Sequence, residues 1–469
     1  MKVLLIRIAA LLPLLLLTGC PGPVERQIPC GIIDMDTPDH DLNDGEPPLD
    51  DDLPESELPE EENELPDDDG DILPLPLIIQ WGSPGDDTGL AAVTAPDGSL
   101  YVTGGTTGEL FGNTNAGSSD IFLTKLSPDR AFLWTEQWGT ANFDQGSTLT
   151  IDASGHLYLS GSRDAIVDPF TGAGIGRMFI ARHTADGGVD WSKEWGSFEQ
   201  EYPTGVSVDS EGNAYVTGWT YGAVGDNDNL GFSDIFLSRF DNAGNEAWST
   251  QWGSGLIDVG YSVAAENSAG IYVTGWTYGD MSGEASLGGN DIFLTRLSAD
   301  GAIDWTRQWG SYSEDKSYAV TVAPDGSIYI GGATTGGLSG FSNVGGEDCF
   351  LVKFSAAGDQ LWTYQWGTPK DDMVYSVAVD ADGAVYATGF TEGDLGDGVN
   401  KGERDIFLTA VSSGGVEQWT ILYGTPEREV AQSLRIADGY LVATGWTGGD
   451  LGKKSDGGKD IFVLFHPLP

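Results

Sequence analysis

One dipeptide returns along this chain at a constant interval, and that recurrence restricts the fold more than any other feature. Trp-Gly occurs at Trp81, Trp138, Trp195, Trp252, Trp309 and Trp366, each 57 residues after the last, and the next step lands on Tyr423 in Leu-Tyr-Gly. A second series, Asp120, Asp234, Asp291, Asp348 and Asp405, opens Asp-Ile-Phe or Asp-Cys-Phe. Arg177 fills that slot in the second repeat, and Asp460 arrives two residues early in the last. A fixed period of this size marks an architecture of stacked units, none of which can bury its apolar face alone.

Each repeat reads as four short strands. In the sixth, MVYSVAVD (373–380) alternates and meets Asp382-Gly383, and AVYATGFT (384–391) follows. A Gly/Asp-rich loop leads to DIFLTAVS (405–412), which turns at Gly414-Gly415 into VEQWTILYG (416–424). Asp-Gly and Gly-Gly between alternating runs are hairpin signals, and no helical period is present. Seven such units predict an all-β, seven-bladed propeller of four-stranded antiparallel blades. The last repeat ends in DIFVLFHPLP without a fourth strand, while an orphan strand, 75–81, precedes the first repeat. That N-terminal strand is expected to complete the last blade and close the ring. Trp pairs four residues apart, such as Trp134/Trp138 and Trp305/Trp309, share one strand face and are expected to pack on the next blade.

The pattern WGxxxxD…VxxDxxGxxYVTGxT…DIFLxKxSxxGxxxW is similar to the bacterial seven-bladed propeller repeats known as SBBP, over roughly residues 75–469. The resemblance implies a fold but no settled activity.

The N-terminus carries a different signal. Lys2 and Arg7 precede an apolar run from Ile8 to Leu17, too short to span a bilayer, which ends in Leu17-Thr18-Gly19-Cys20. This resembles a bacterial lipobox and implies a signal peptide over 1–19 and lipidation of Cys20. The anchor would hold the protein in the cell envelope, at the outer membrane or cell surface. Residues 34–71 hold 19 Asp or Glu, no Lys or Arg, and repeated Pro. Such composition predicts a disordered, extended tether across 20–72, with the propeller over 73–469. The net charge of −50 argues against nucleic acid as a partner. Neither Cys30 nor Cys349 belongs to a disulfide framework, and Cys349 is expected to be a buried small hydrophobe.

Candidate function sits at the end of the propeller where the long loops fall: 107–118, 164–176, 222–233, 279–290, 336–347, 392–404 and 448–459. Six residues past each Trp (or Tyr423) lies an acid: Asp87, Asp144, Glu201, Asp258, Asp315, Asp372 and Glu429. This top-face ring either gathers a cation such as calcium at the channel mouth or accepts backbone N–H bonds where one blade crosses to the next. Trp219, Tyr221, Trp276 and Tyr278 either form an aromatic platform for a sugar or serve inter-blade packing. Asp226 and Asp228, in Asp-Asn-Asp-Asn, are the metal-ligand candidates for calcium. The four histidines have no metal-site spacing, and no nucleophile motif is present. The Asp300-Gly301 segment looks superficially like a sialidase Asp-box but reads as a hairpin turn. The expectation is a non-catalytic, monomeric surface module that binds a glycan or protein through its top-face loops, with calcium as an option. The alternatives are a periplasm-facing scaffold for envelope assembly and, less favoured, a lyase or glycosidase.

Overall fold

The computed structural model describes residues 75–468 apart from 168–173, 198, 267–269, 282 and 284. The signal peptide, Cys20, Cys30 and the acidic tether lie outside the described residues. The described residues form 28 strands, from β1 (Leu77–Trp81) to β28 (Asp460–Pro467), in seven four-stranded antiparallel sheets. Blade 1 spans Asp87 to Trp138, and each later blade follows with its four strands in chain order. Blade 7 is the exception. Its order is β1, β28, β27 (Tyr440–Thr447), β26 (Glu429–Ala437), so the first strand of the chain completes the last sheet. The register runs from Leu77 opposite Phe465 to Trp81 opposite Ile461. The expected ring closure is therefore present.

Burial alternates with the blade geometry. The middle strands of each blade are covered on both faces, as in Asp291–Leu297, where six of seven residues are buried. The outermost strand, such as Ile303–Trp309, is largely exposed or half-buried. The apolar core lies between blades. Ile292 and Leu294 of blade 4, for example, cluster with Val320, Ile330 and Phe350 of blade 5.

The tryptophans stitch neighbouring blades as expected. Trp195 meets Phe240 and Trp309 meets Phe354, each at 4.9 Å between ring centroids. The partner Trp four residues earlier reaches the hairpin of the next blade: Trp248 Nε1 donates to the Ala299 carbonyl at 3.2 Å. The turn there, which resembled an Asp-box, is a hairpin in which Gly301 N donates to Ser298 O at 2.9 Å. Gly301 has φ +86°, and a Cβ on it would lie 2.8 Å from the Trp248 ring. Cys349 is a free, fully buried thiol in the position its neighbours give to Ile.

One feature of the strands had no counterpart in the sequence expectations. Every innermost strand carries a β-bulge at the same point, between Gly89 and Ala91, Gly146 and Thr148, Pro203 and Gly205, Gly260 and Ser262, Ser317 and Ala319, Val374 and Ser376, and Ala431 and Ser433. A bulge leaves one residue unpaired and re-aims its side chain. The seven skipped residues are Leu90, Ser147, Thr204, Tyr261, Tyr318, Tyr375 and Gln432, and all seven line the cavity along the propeller axis.

Candidate functional site

The acid ring is present, but it does not face an open mouth. All seven carboxylates are fully buried. Each accepts hydrogen bonds from the residue four positions earlier, always Ser or Thr. Thr140 N and Oγ1 donate to Asp144 Oδ2 at 2.6 and 2.7 Å, and Thr425 N and Oγ1 donate to Glu429 at 2.6 and 2.7 Å. In six blades a Thr at the end of the second strand adds another donor, as Thr447 Oγ1 does to Glu429 at 2.8 Å. In blade 2 that slot holds Arg163, and Asp164 N donates to Asp144 instead, at 2.9 Å. The acids thus fasten the crossing between blades. A carboxylate spent on these donors, with no exposed surface, is not placed to collect a ligand.

The Asp-Ile-Phe carboxylates sit beside them. Asp291 Oδ2 accepts Leu287 N and Gln308 Nε2, both at 2.9 Å, and the same clamp recurs at Asp120, Asp234 and Asp348. In blade 7 the Gln comes from the other end of the chain: Gln80 Nε2 donates to Asp460 Oδ2 at 2.8 Å. The two-residue shift of Asp460 leaves this clamp intact. Blade 2 departs in a compensated way. Arg177 replaces the Asp, Glu194 replaces the Gln, and they pair at 3.0 Å.

At most junctions the two carboxylates flank the Gly of Trp-Gly. A Cβ on Gly310 would lie 2.4 Å from Asp291 Oδ1 and 2.7 Å from Asp315 Oδ2. Burial, the largest cause, raises the pKa of Asp87, Glu201, Asp258, Asp315, Asp372 and Glu429 above the ordinary 3.8 for Asp and 4.5 for Glu. The neighbouring Asp-Ile-Phe carboxylate adds to the rise at Asp87, Asp258, Asp315, Asp372 and Glu429. A group whose folded pKa is raised binds more protons in the folded state, so its stabilisation is full at low pH and declines as pH climbs through the raised value. Exposed turn aspartates act oppositely. Asp97, Asp241 and Asp300 are held below 3.8 by hydrogen bonds from Ser99, Asn245 and Ser298, and their contribution is lost only below that range. The melting temperature is therefore expected to rise as pH falls from neutral toward the ordinary carboxylate range, and to fall again once pH drops below that range. A steady fall on acidification from pH 8, followed by circular dichroism, contradicts this.

The axial cavity, of about 610 Å³, is where the seven-fold pattern breaks. The bulge residues of blades 4, 5 and 6 are Tyr261, Tyr318 and Tyr375, whose rings lie edge to face at 4.9 and 5.3 Å. At the same position blades 1, 2 and 3 place Leu90, Ser147 and Thr204, and blade 7 places Gln432. Burial, foremost, raises all three phenol pKa values, Tyr375 to about 12, so each remains a hydroxyl donor at neutral pH. The neighbouring Tyr261 and Tyr375, and then Glu347 and Glu314 at the top-face crossings, add to the rise at Tyr318.

The aromatic candidates divide. Trp219 lines the cavity and stacks on Tyr202 at 4.1 Å with a 24° tilt. Tyr221 and Tyr278 are exposed, and each lies edge-on to the Trp of its own blade, at 5.3 and 5.8 Å. The four residues form two separate pairs rather than one platform. Asp226 and Asp228 are exposed, whereas Asn227 and Asn229 between and beside them are tied to loop carbonyls. Asn113 and Asn115 repeat those ties in blade 1, which marks them as loop closures. Among the described residues no three His, Cys, Asp or Glu converge as a metal site.

Comparison with known proteins agrees with the repeat. The family model described as the SBBP β-propeller repeat matches residues 191–225. The regulatory protein FlaEY of Caulobacter vibrioides is 27% identical over 165 residues, covering 32% of this chain and 17% of its own length. An uncharacterized WD repeat-containing protein, L264, of Acanthamoeba polyphaga mimivirus is 23% identical over 264 residues, covering 44% of this chain and 19% of its own. The chain thus spans under a fifth of the length of these curated relatives. Among solved structures, the Neurospora crassa Pan2 WD40 domain aligns at TM-score 0.48 and 10% identity, over 84% of this chain and 94% of its own. The chain is a seven-bladed β-propeller in which the segment 191–225 is similar to the SBBP β-propeller repeat.

Proposed function

We propose that this protein is a non-catalytic binding module of the cell envelope, anchored through Cys20, that takes a glycan at the top of its axial channel. One observation carries the reading. Residues that keep the fold recur in every blade, as the buried acids do, whereas the bulge position carries tyrosine in three adjacent blades and Leu, Ser, Thr or Gln in the other four. A wall of aromatic rings with hydroxyls and an amide elsewhere around the same ring suits a sugar, whose apolar face stacks and whose edges hydrogen-bond. Trp219 extends that wall toward the top face.

The test is a glycan array probed with the purified protein, with and without chelator. Retention of a defined glycan class supports the reading. With no converging triad of metal ligands among the described residues, chelator is expected to leave retention unchanged. Loss of binding on chelation restores a calcium role, and no retention in either condition removes the glycan reading. Protease shaving of intact cells tests surface exposure, since a protected chain does not act as a surface adhesin.

A second reading, a protein scaffold, is favoured by exposed apolar side chains on the top-face loops. Leu230, Leu287 and Val344 occupy one position in three adjacent blades, and all are exposed. The same loop position carries Lys401 in blade 6. Recovery of one envelope protein, lost on Leu230→Ser/Leu287→Ser/Val344→Ser, would select this reading.

A further inference from the structure

Three residues beyond the bulge, the innermost strands carry a second equivalent position, from which Thr150, Ser207, Ala264, Thr321 and Arg435 line the channel. Six blades place Val, Thr, Ser or Ala there, and blade 7 places Arg435. Among the residues that line the cavity, Arg435 is the only charged one. Its Nη1 donates to the Leu434 carbonyl at 3.1 Å, and no carboxylate pairs with it among the described residues. This is unusual in a chain of net charge −50. Arg435 is half-buried, so its unpaired guanidinium has lost part of its hydration at a cost that nothing in the chain offsets, and six blades complete the same strand without one. Burial lowers its pKa from 12.5, but arginine stays ionised at neutral pH.

We infer that the axial channel binds an acidic saccharide, with Arg435 receiving a uronate carboxylate and the tyrosine wall receiving a sugar ring. The inference rests on the glycan reading above and narrows it to a chemical class. A planar guanidinium matches a carboxylate with two parallel donors, and such charge-assisted bonds are the stronger kind. Arg435 lies three residues along the strand from the bulge, about 10 Å at the rise of an extended chain. With the guanidinium and the tyrosine rings set at different depths of the channel, an oligosaccharide lying along the axis reaches both. Thr150, Ser207 and Thr321 line the same stretch and supply hydroxyls for its edges. The acidic exterior repels such a ligand at long range, an effect confined by salt to about 8 Å at physiological ionic strength.

The test is calorimetric titration of the full chain with trimeric uronates (galacturonate, glucuronate and mannuronate) and with their methyl esters, which keep the sugar and remove the charge. At least one acid is expected to bind about tenfold or more tighter than its ester, the discrimination of one charge-assisted contact. Arg435→Gln is expected to abolish that difference and leave ester binding unchanged, whereas Arg435→Lys restores part of it. Unchanged melting of both variants excludes misfolding as the cause. Equal binding of acids and esters, unaffected by Arg435→Gln, overturns the acidic class while the glycan reading stands. Array retention of neutral glycans alone does the same. No glycan retained of any kind overturns both, and preferential capture of peptides with a free C-terminal carboxylate replaces the saccharide with a peptide.

Discussion

Deleting Leu77–Trp81 is expected to turn a cooperatively melting ring into an open arc that aggregates. The five residues pair with β28 from Ile461 to Phe465, and Ile461, Val463 and Phe465 are buried. Trp81 is buried and lies edge-on to Phe132 of blade 1 at 5.3 Å, so it joins blade 7 to blade 1 as well. Gln80 makes the same clamp that Gln308 makes inside blade 4. Its Nε2 donates to Asp460 at 2.8 Å and to the Gly449 carbonyl at 3.0 Å, and its Oε1 accepts Gly452 N at 2.8 Å. Losing the buried Trp81 removes about 1.5–3 kcal/mol, and the half-buried Ile78 and Ile79 about half as much each. Taking Gln80 from Asp460, which then keeps only the Asp456 N–H at 3.1 Å, adds about 1–3 kcal/mol. The sum rivals the whole stability of an ordinary domain, about 5–15 kcal/mol. The uncapped strand edge is then free to pair with another chain. Melting followed by circular dichroism, with size-exclusion chromatography, reads both effects. Gln80→Ala alone is expected to cost about 1–3 kcal/mol. A truncated chain that melts with the full one would show that the ring does not depend on this strand.

The second large effect is expected at a glycine. Gly310→Ala puts a methyl group against Asp291 Oδ1 at 2.4 Å and Asp315 Oδ2 at 2.7 Å. Neither carboxylate has room to retreat. Both are fully buried; Asp291 is clamped by Leu287 N and Gln308, and Asp315 by Ser311 N at 2.5 Å. Overpacking costs about 1–3 kcal/mol, and displacing a buried carboxylate from its donors adds a similar amount. A loss of about 3–5 kcal/mol is expected in urea unfolding, among the largest that single substitutions give. Gly255→Ala is the control. A Cβ there meets nothing within 4 Å, and the change is expected to stay within about 0.5 kcal/mol. Equal stability of the two variants would mean that the Trp-Gly repeat does not owe its glycine to the carboxylate pair.

Much of this was legible in the chain. A 57-residue register over seven steps leaves little choice but a closed ring of seven, and the orphan strand before Trp81 named the blade that closes it. The buried role of the acid ring was half legible. Ser or Thr stands four residues before every acid, and Thr ends the second strand in six blades. What the sequence did not display is burial: an Asp in a crossing loop reads the same whether it meets water or three donors. The bulge was hidden for a related reason. Alternation along Asp315–Val322 continues to the eye through Tyr318, although one residue there has left the ladder. The available signal was loss of repetition, since the bulge residue varies while the acid three positions earlier does not. Arg435 gives the same kind of signal, a lone charge in a register of small neutral residues. The exchange of Asp and Gln for Arg177 and Glu194 was also readable as a pair, although only the Arg stood out.

The central claim is that residues repeated in every blade hold the fold, and those that break the repeat at the channel hold the ligand. Its most direct test is glycan retention by the variant Tyr261→Ser/Tyr318→Ser/Tyr375→Thr, which gives blades 4 to 6 the kinds of side chain that blades 2 and 3 already carry at the bulge. The three tyrosines are only half-buried, so the variant is expected to stay folded and monomeric, within a few degrees of the parent in melting. It is also expected to lose the glycans that the parent retains. A folded variant that retains them as the parent does would contradict the account.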